Sequence, residues 1–193
     1  MNEKAAKSIR VFTVPPIFAA VLCALLYWQV DGAYTNGIHC LVMVFTLSVL
    51  PLMSYPLCAI IPALRRQGRK AERTMGLIFS VAGYIGGFAF ALLTPSTTVE
   101  LVIYGTYLLS GVMLAICTVC RFKASAHTCG CSGPVAALSV FVSPWFLLGY
   151  LLVGAVMWAS VQLKRHSRTQ LMAGSLIPVL SLLIVCGWML GDL

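Results

Sequence analysis

Hydrophobic residues fall in six long runs, separated by short polar or glycine-bearing links. The runs cover about 11–30, 38–64, 75–94, 99–120, 134–162 and 170–190. A helix needs about 20 mostly apolar residues to cross the hydrocarbon core of a bilayer, and each run reaches that length. The pattern predicts an all-α fold, a polytopic integral membrane helical bundle with six to seven transmembrane segments.

The run at 134–162 is too long for one ordinary crossing. Ser143 and Pro144 lie in its middle, and a proline removes one backbone N–H and disfavours helical geometry in the residue before it. A break there predicts two short helices, at about 126–142 and 145–162. They would form a hairpin that returns the chain to the side it came from, which gives seven helical segments and an outer C-terminus.

Composition supports a membrane protein. The chain is 60% hydrophobic and 9% charged, whereas soluble proteins average about 25% charged residues. Helical crossings and short loops use all 193 residues. We therefore expect a single membrane domain over 1–193, with no separate soluble domain.

Basic residues are confined to alternate links. All thirteen lysines and arginines fall in four groups: Lys4, Lys7 and Arg10; Arg65, Arg66, Arg69, Lys70 and Arg73; Arg121 and Lys123; Lys164, Arg165 and Arg168. By the positive-inside rule, the N-terminus and these links are cytoplasmic, and we predict a plasma-membrane protein. Topology accounts for the net charge of +8, so no nucleic-acid partner is expected.

Orientation alone is the simplest explanation of basic links, but two features suggest chemistry. Five basic residues crowd into 65–73, and His127 and His166 lie beside basic links at predicted helix starts. Arginine binds phosphate oxygens in pairs, and a helix N-terminus offers free N–H groups. Histidine can transfer a proton or attack phosphorus near neutral pH. These residues suit a phosphate ester.

The same links resemble the three sequence blocks of the type 2 phosphatidic acid phosphatases, K-x6-R-P, P-S-G-H and S-R-x5-H-x3-D. The matching stretches are Arg66-x6-Arg73, Ala124-Ser125-Ala126-His127, and His166-x3-Gln170 followed by Gly174. The resemblance covers about residues 66–174. No block is intact: Thr74 replaces the first proline, Ala124 and Ala126 replace proline and glycine, Ser160 stands where the third arginine would be, and Gln170 replaces the aspartate.

The resemblance implies a phosphatase that acts on a lipid phosphate or polyprenyl phosphate drawn from the membrane lipids, through a phosphohistidine and without a cofactor or metal. His166 would be the nucleophile, His127 the general acid and Gln170 the residue that orients His166. The phosphate would be bound by four residues: Arg66, Arg73, Lys123 and Ser125.

The change to Gln170 keeps two outcomes open. A glutamine carbonyl can fix the histidine tautomer, but it carries no charge to stabilise an imidazolium, and loss of a comparable carboxylate costs on the order of 10⁴ in rate. Slow turnover and binding without turnover, as in a non-catalytic membrane protein of the same fold, are both compatible with the sequence.

A thiol-ligated metal site is the other alternative. Four cysteines flank His127 within fifteen residues: Cys117, Cys120, Cys129 and Cys131. Soft thiolate ligands and imidazole favour Zn²⁺ or Cu⁺. The remaining histidine, His39, is expected to be solvated at the outer interface, and Glu100 to lie in the headgroup layer.

Overall fold

The computed structural model describes residues 3–191, which contain helices and no β-strand. The helices are α1 (Glu3–Phe12), α2 (Pro15–Gln29), α3 (Gly37–Ile60), α4 (Pro62–Gln67), α5 (Arg69–Leu93), α6 (Thr98–Val119), α7 (Ala126–Phe141), α8 (Tyr150–Gln162) and α9 (Arg168–Leu190). Within α3, residues Phe45–Val49 form a π turn ahead of Pro51. A 3₁₀ turn, Pro144–Gly149, leads into α8.

Five helical segments are long and apolar enough to cross a membrane: Gly37–Ile60, Arg69–Leu93, Thr98–Val119, Pro144–Gln162 and Arg168–Met189. A sixth is added if α1 and α2, which meet at 43°, count as one bent span. Helix α7 has 16 residues and is not among these spans. The all-α class is therefore confirmed, with five to six helices that are long and apolar enough to span a membrane where the prediction was six to seven.

Large apolar side chains cover much of the outer surface. Leu93 is 85% exposed and Val119 is 83% exposed. Single exposed leucines are normal in soluble proteins, but here long helices are apolar on their outer faces as well as inside. A helix that is hydrophobic all round is typical of a membrane span.

The predicted hairpin in the fifth run is present. Helix α7 ends at Phe141, and the chain turns at Ser143, whose side chain accepts a hydrogen bond from the backbone N–H of Trp145 (3.4 Å). The returning segment packs against α7, because Ser132 Oγ donates to the Tyr150 hydroxyl at 3.1 Å. Charge clustering and one proline therefore predicted this turn correctly.

Hydrogen bonds between residues that are far apart in the sequence mark the two ends of the bundle. At one end, called the basic end, the Ser125 N–H at the start of α7 donates to the backbone carbonyl of Gln170 at 3.0 Å. At the opposite end, called the outer end because the charge pattern predicts that it faces away from the cytoplasm, Thr97 Oγ1 donates to the Ala33 carbonyl at 2.7 Å. Between the ends lies an apolar core in which Leu22, Leu26 and Met43 are fully buried.

Candidate functional site

The start of α9 places His166 beside Gln170. Ser167 and Gln170 form a capping box: the Ser167 side chain accepts from the Gln170 N–H (3.3 Å), and Gln170 Oε1 accepts from the Ser167 N–H (3.1 Å). The same Oε1 lies 3.2 Å from Nδ1 of His166. A motif that satisfies free N–H groups at a helix start therefore also holds the histidine.

These contacts determine the tautomer of His166. Because the Ser167 N–H can only donate, the Gln170 atom that it meets must be the carbonyl oxygen. Nδ1 of His166, which meets that same oxygen, must then carry the proton. In the neutral ring, Nε2 consequently keeps its lone pair.

The surroundings of His166 favour its neutral form. Partial burial is the main cause that lowers the pKa of His166 below its ordinary value of 6.5, and the positive charges of Arg10 and Arg73 lower it further. The hydrogen bond to Gln170 and the nearby backbone of Lys123 act in the opposite direction. The net effect leaves an unprotonated, nucleophilic nitrogen at neutral pH.

His127 lies in the first turn of α7, at the basic end. Ser125 caps this helix, since its side chain accepts from Thr128 N–H at 3.3 Å. The His127 ring lies close enough to Arg10 and His166 for their positive charges to disfavour its protonation. Its Nε2 is buried without a hydrogen-bond partner among the described residues. The structure thus brings the two histidines into electrostatic contact.

Gly174 explains how the starts of α7 and α9 come so close. A Cβ at position 174 would overlap the backbone carbonyl oxygen of Ser125 and lie 3.0 Å from its backbone nitrogen. Only glycine permits this approach without a shift of one helix. Gln170 and Gly174 are four residues apart on α9, so they share one face of the helix, and that face meets α7. His166 precedes the helix and is joined to this face through Gln170.

The predicted phosphate-binding residues differ in their exposure and in whether they lie near His166. Arg73 is exposed on α5, and its charge reaches His166. Arg66 is exposed near the end of α4, which Gly68 (φ +53°) separates from α5. Lys123 is exposed and approaches His166 through its backbone. Ser125 is fully buried and uses its N–H and its hydroxyl oxygen to dock and cap α7.

Arg10 joins the cluster, although the sequence treats it only as an orienting charge. Its Nη1 donates to Ser160 Oγ at 2.6 Å. Position 160 is where the resemblance would place an arginine, and the guanidinium there comes instead from α1. The contact spans 150 positions of the chain, and no short motif predicts such a pairing.

The cysteines do not assemble into a metal site. Within residues 3–191, no three His, Cys, Asp or Glu side chains lie close enough together to hold a metal ion. Cys131 is buried and donates to the Thr13 carbonyl at 3.3 Å, whereas Cys120 is exposed at the end of α6. The thiol alternative therefore has no geometric support in the described residues.

At the outer end, the expectation that His39 is solvated is wrong, and Glu100 is buried beside it. Their side chains are 8% and 2% exposed, and His39 Nδ1 lies 2.8 Å from Glu100 Oε1, although the ring N–H is not aligned with that oxygen. Thr97 N–H donates to Glu100 Oε2 at 2.6 Å within a capping box. The T-x-x-E pattern at 97–100 was the signal for this role.

The basic end therefore combines an oriented histidine, a second histidine with a free buried nitrogen, and arginines from two further helices. None of the protein-family models, curated proteins or solved structures compared with this chain matches it.

Proposed function

We propose that the basic end binds a phosphate ester of a membrane lipid, or a polyprenyl phosphate, and hydrolyses it through a phosphohistidine, as the resemblance to type 2 phosphatidic acid phosphatases implies. The observation that carries this proposal is the pairing of His166 Nδ1 with Gln170 Oε1. It leaves Nε2 as a positioned nucleophile in a positively charged setting.

Charge favours an anionic ligand at this end. The positive charges of Arg10 and Arg73 disfavour protonation of His166, and the positive charge of Arg165 repels that of Arg10. Within residues 3–191, the carboxylates that lie within 4 Å of a basic side chain are Glu3, beside Lys7, and Glu100, beside His39, so these arginines have no described carboxylate within that distance. A phosphate group would supply the missing negative charge, and guanidinium groups are suited to bind its oxygens.

The proposed reaction has two steps. In the first, His166 Nε2 attacks phosphorus, the P–N bond forms, and the bond to the lipid alcohol oxygen breaks while His127 gives that oxygen a proton. In the second, water attacks phosphorus, its proton passes to His127, and phosphate and free His166 are released. Without ligand, burial and nearby cations favour the neutral His127 ring. The negative charge of bound phosphate would favour its protonated form.

A lipid substrate fits the position of the site. The histidines lie at one end of helices that are long and apolar enough to cross a bilayer, so a lipid headgroup would meet them at the membrane surface. We extend the proposal to a plasma-membrane location with the basic end in the cytoplasm, on the basis of the positive-inside rule.

Phosphate release by the purified protein tests the proposal. The substrates are dioctanoyl phosphatidate and a short polyprenyl phosphate in detergent micelles. We expect release by the unaltered chain, none by His166→Ala, and a rate reduced by about 10² or more in His127→Ala. Cys120→Ser, an exposed change outside the site, is the control. Equal rates for His166→Ala and the unaltered chain would refute catalysis by His166.

Binding without turnover is the second candidate, and the amide at Gln170 favours it. Triad histidines with a carboxylate partner gain stabilisation of their positive form, and an amide does not supply it. If the unaltered chain binds dioctanoyl phosphatidate but forms no product and no phosphohistidine, the site binds phosphorylated lipid without hydrolysing it.

A further inference from the structure

Arg10 enters the basic end from a helix outside the blocks that predicted the site. Its Nη1 donates to Ser160 Oγ at 2.6 Å, and the hydroxyl of the fully buried Ser160 donates its own hydrogen bond to the Val156 carbonyl at 2.7 Å. The serine lone pair is therefore directed at Arg10. A guanidinium has five N–H donors, so this contact fixes the side chain and leaves donors available for a ligand.

The bend between α1 and α2 brings Arg10 to this position. The two helices meet at 43°, and α7 holds the bend at two points. Cys131 Sγ donates to the Thr13 carbonyl at 3.3 Å, and a Cβ at Gly130 would lie 2.5 Å from Cβ of Pro15. The location of Arg10 is thus a property of the packed fold, since both contacts come from α7.

The charge around Arg10 is unbalanced. Among the described residues, the carboxylates beside a basic side chain are Glu3, next to Lys7, and Glu100, next to His39, and neither pairs with Arg10. The positive charge of Arg165 repels that of Arg10. The positive charge of Arg10 in turn disfavours protonation of both His127 and His166. A half-buried cation without a counter-ion is unfavourable, whereas an anion between Arg10 and the two rings would be stabilised.

We propose that Arg10 binds phosphate oxygens directly, so that α1 forms one wall of the site. This inference rests on the proposed phosphate site and adds a specific ligand contact to it. A planar guanidinium can donate to two oxygens of one phosphate. Arg10 would thereby hold the phosphate for attack by His166, while Ser160 keeps the guanidinium in place.

The test uses the full chain in detergent with Arg10→Gln, Arg10→Lys and the control Lys4→Gln, which removes an exposed charge from the same helix. Calorimetric titration measures the affinity for inorganic phosphate. Kinetics measure KM for dioctanoyl phosphatidate and for the water-soluble p-nitrophenyl phosphate, which separates a lipid headgroup from a free phosphate monoester. Thermal unfolding monitors the fold of each variant.

We expect Arg10→Gln to weaken inorganic phosphate binding and raise KM by about tenfold or more. We expect Arg10→Lys to lose severalfold in affinity and Lys4→Gln to match the unaltered chain. The acid limb of the pH profile should also move upward in Arg10→Gln, which a purely structural role would not cause. If Arg10→Gln does not fold, Arg10→Lys decides, because unchanged affinity in a folded Arg10→Lys would overturn the bidentate contact.

The outcomes separate this inference from the proposed function. Equal phosphate affinity in folded Arg10→Gln and Lys4→Gln would overturn the role of Arg10, even if hydrolysis occurs. Phosphate binding that depends on Arg10, without product release, would uphold it and refute hydrolysis. If the unaltered chain binds neither inorganic phosphate nor the two esters, both proposals fail.

Discussion

The side-chain carbonyl oxygen of Gln170, Oε1, lies 3.2 Å from Nδ1 of His166 and 3.1 Å from the backbone nitrogen of Ser167. One side chain thus performs two tasks, because it caps α9 and orients the histidine. An amide suffices for both tasks, since Gln and Glu serve equally at this position of a capping box. What the amide lacks is the negative charge that would stabilise a protonated His166.

Replacing Gln170 with Glu isolates that charge. The carboxylate can still accept from Ser167 and His166, so the cap and the tautomer should be retained. We expect kcat for phosphate release to rise by about tenfold or more, because the imidazolium that forms during turnover gains a counter-charge. The control is Gln170→Met, which removes the acceptor at similar length and should lower kcat. A slower Gln170→Glu enzyme would contradict the proposed role.

The pH dependence should follow the lowered pKa of His166. Attack requires the neutral ring, and burial together with Arg10 and Arg73 lowers the pKa below 6.5. With p-nitrophenyl phosphate, whose leaving group departs without a proton from His127, we therefore expect kcat/KM to stay high as pH falls through 6.5 and to decline only at lower pH. The profile of kcat/KM reports the free enzyme, so it should be measured with substrate below KM.

Arg73→Gln and Arg66→Gln form a matched pair that tests the same electrostatics. Removing the charge of Arg73 takes away one cause of the lowered pKa of His166, so the acid limb should shift to higher pH. Arg66 is exposed on a different helix, and its replacement should leave the limb in place. Equal shifts in both variants would mean that general surface charge, and not Arg73, sets this pKa.

Gly174→Ala should disturb the junction of α7 and α9. The new Cβ would overlap the backbone of Ser125, and such overpacking costs about 1–3 kcal/mol. We expect a lower midpoint of thermal unfolding in detergent and a loss of phosphate release, because His127 and His166 would separate. Gly187→Ala in the same helix is the control, since nothing lies within 4 Å of its added Cβ. Matching midpoints for the two variants would argue against this close contact.

The outer end should depend on Glu100 for stability and not for chemistry. Glu100→Ala removes the partner of His39 and the acceptor of the Thr97 N–H. Leaving the Thr97 N–H without its acceptor costs about 1–3 kcal/mol, and we expect a clearly lower unfolding midpoint. Glu100→Gln keeps the cap and should fall between Glu100→Ala and the unaltered chain. Glu72→Ala, an exposed change, provides the baseline.

Cys120 can report which side of the membrane holds the basic end. It is exposed at the end of α6. If the basic end is cytoplasmic, an impermeant maleimide should label Cys120 only after intact cells are permeabilised, with Cys120→Ser as the background. Labelling of Cys120 in intact cells would reverse the proposed orientation and leave the shared surface unchanged.

Local pattern predicted most of the helical layout. Run lengths predicted the long helices, and Ser143 with Pro144 predicted the hairpin, because both depend on residues that are near in sequence. The bend between α1 and α2 and the break at Ile61 were not predicted. The pairing of His166 with Gln170 was also within reach, because S-x-x-Q at 167–170 is a capping-box pattern that turns Gln170 back toward the residues before the helix. For Glu100, the capping pattern was present, but burial was missed because helix ends usually lie at the membrane surface.

By itself, the sequence determined the helical class, the membrane-like composition, the turn at residue 143 and the capping box that joins Ser167 to Gln170. Tertiary structure alone decided that Arg10 meets Ser160 across 150 positions, that His127 lies near His166, and that His39 is buried against Glu100. The reason is physical: periodicity and capping act over one or two turns, whereas these contacts depend on how separate helices bend and pack.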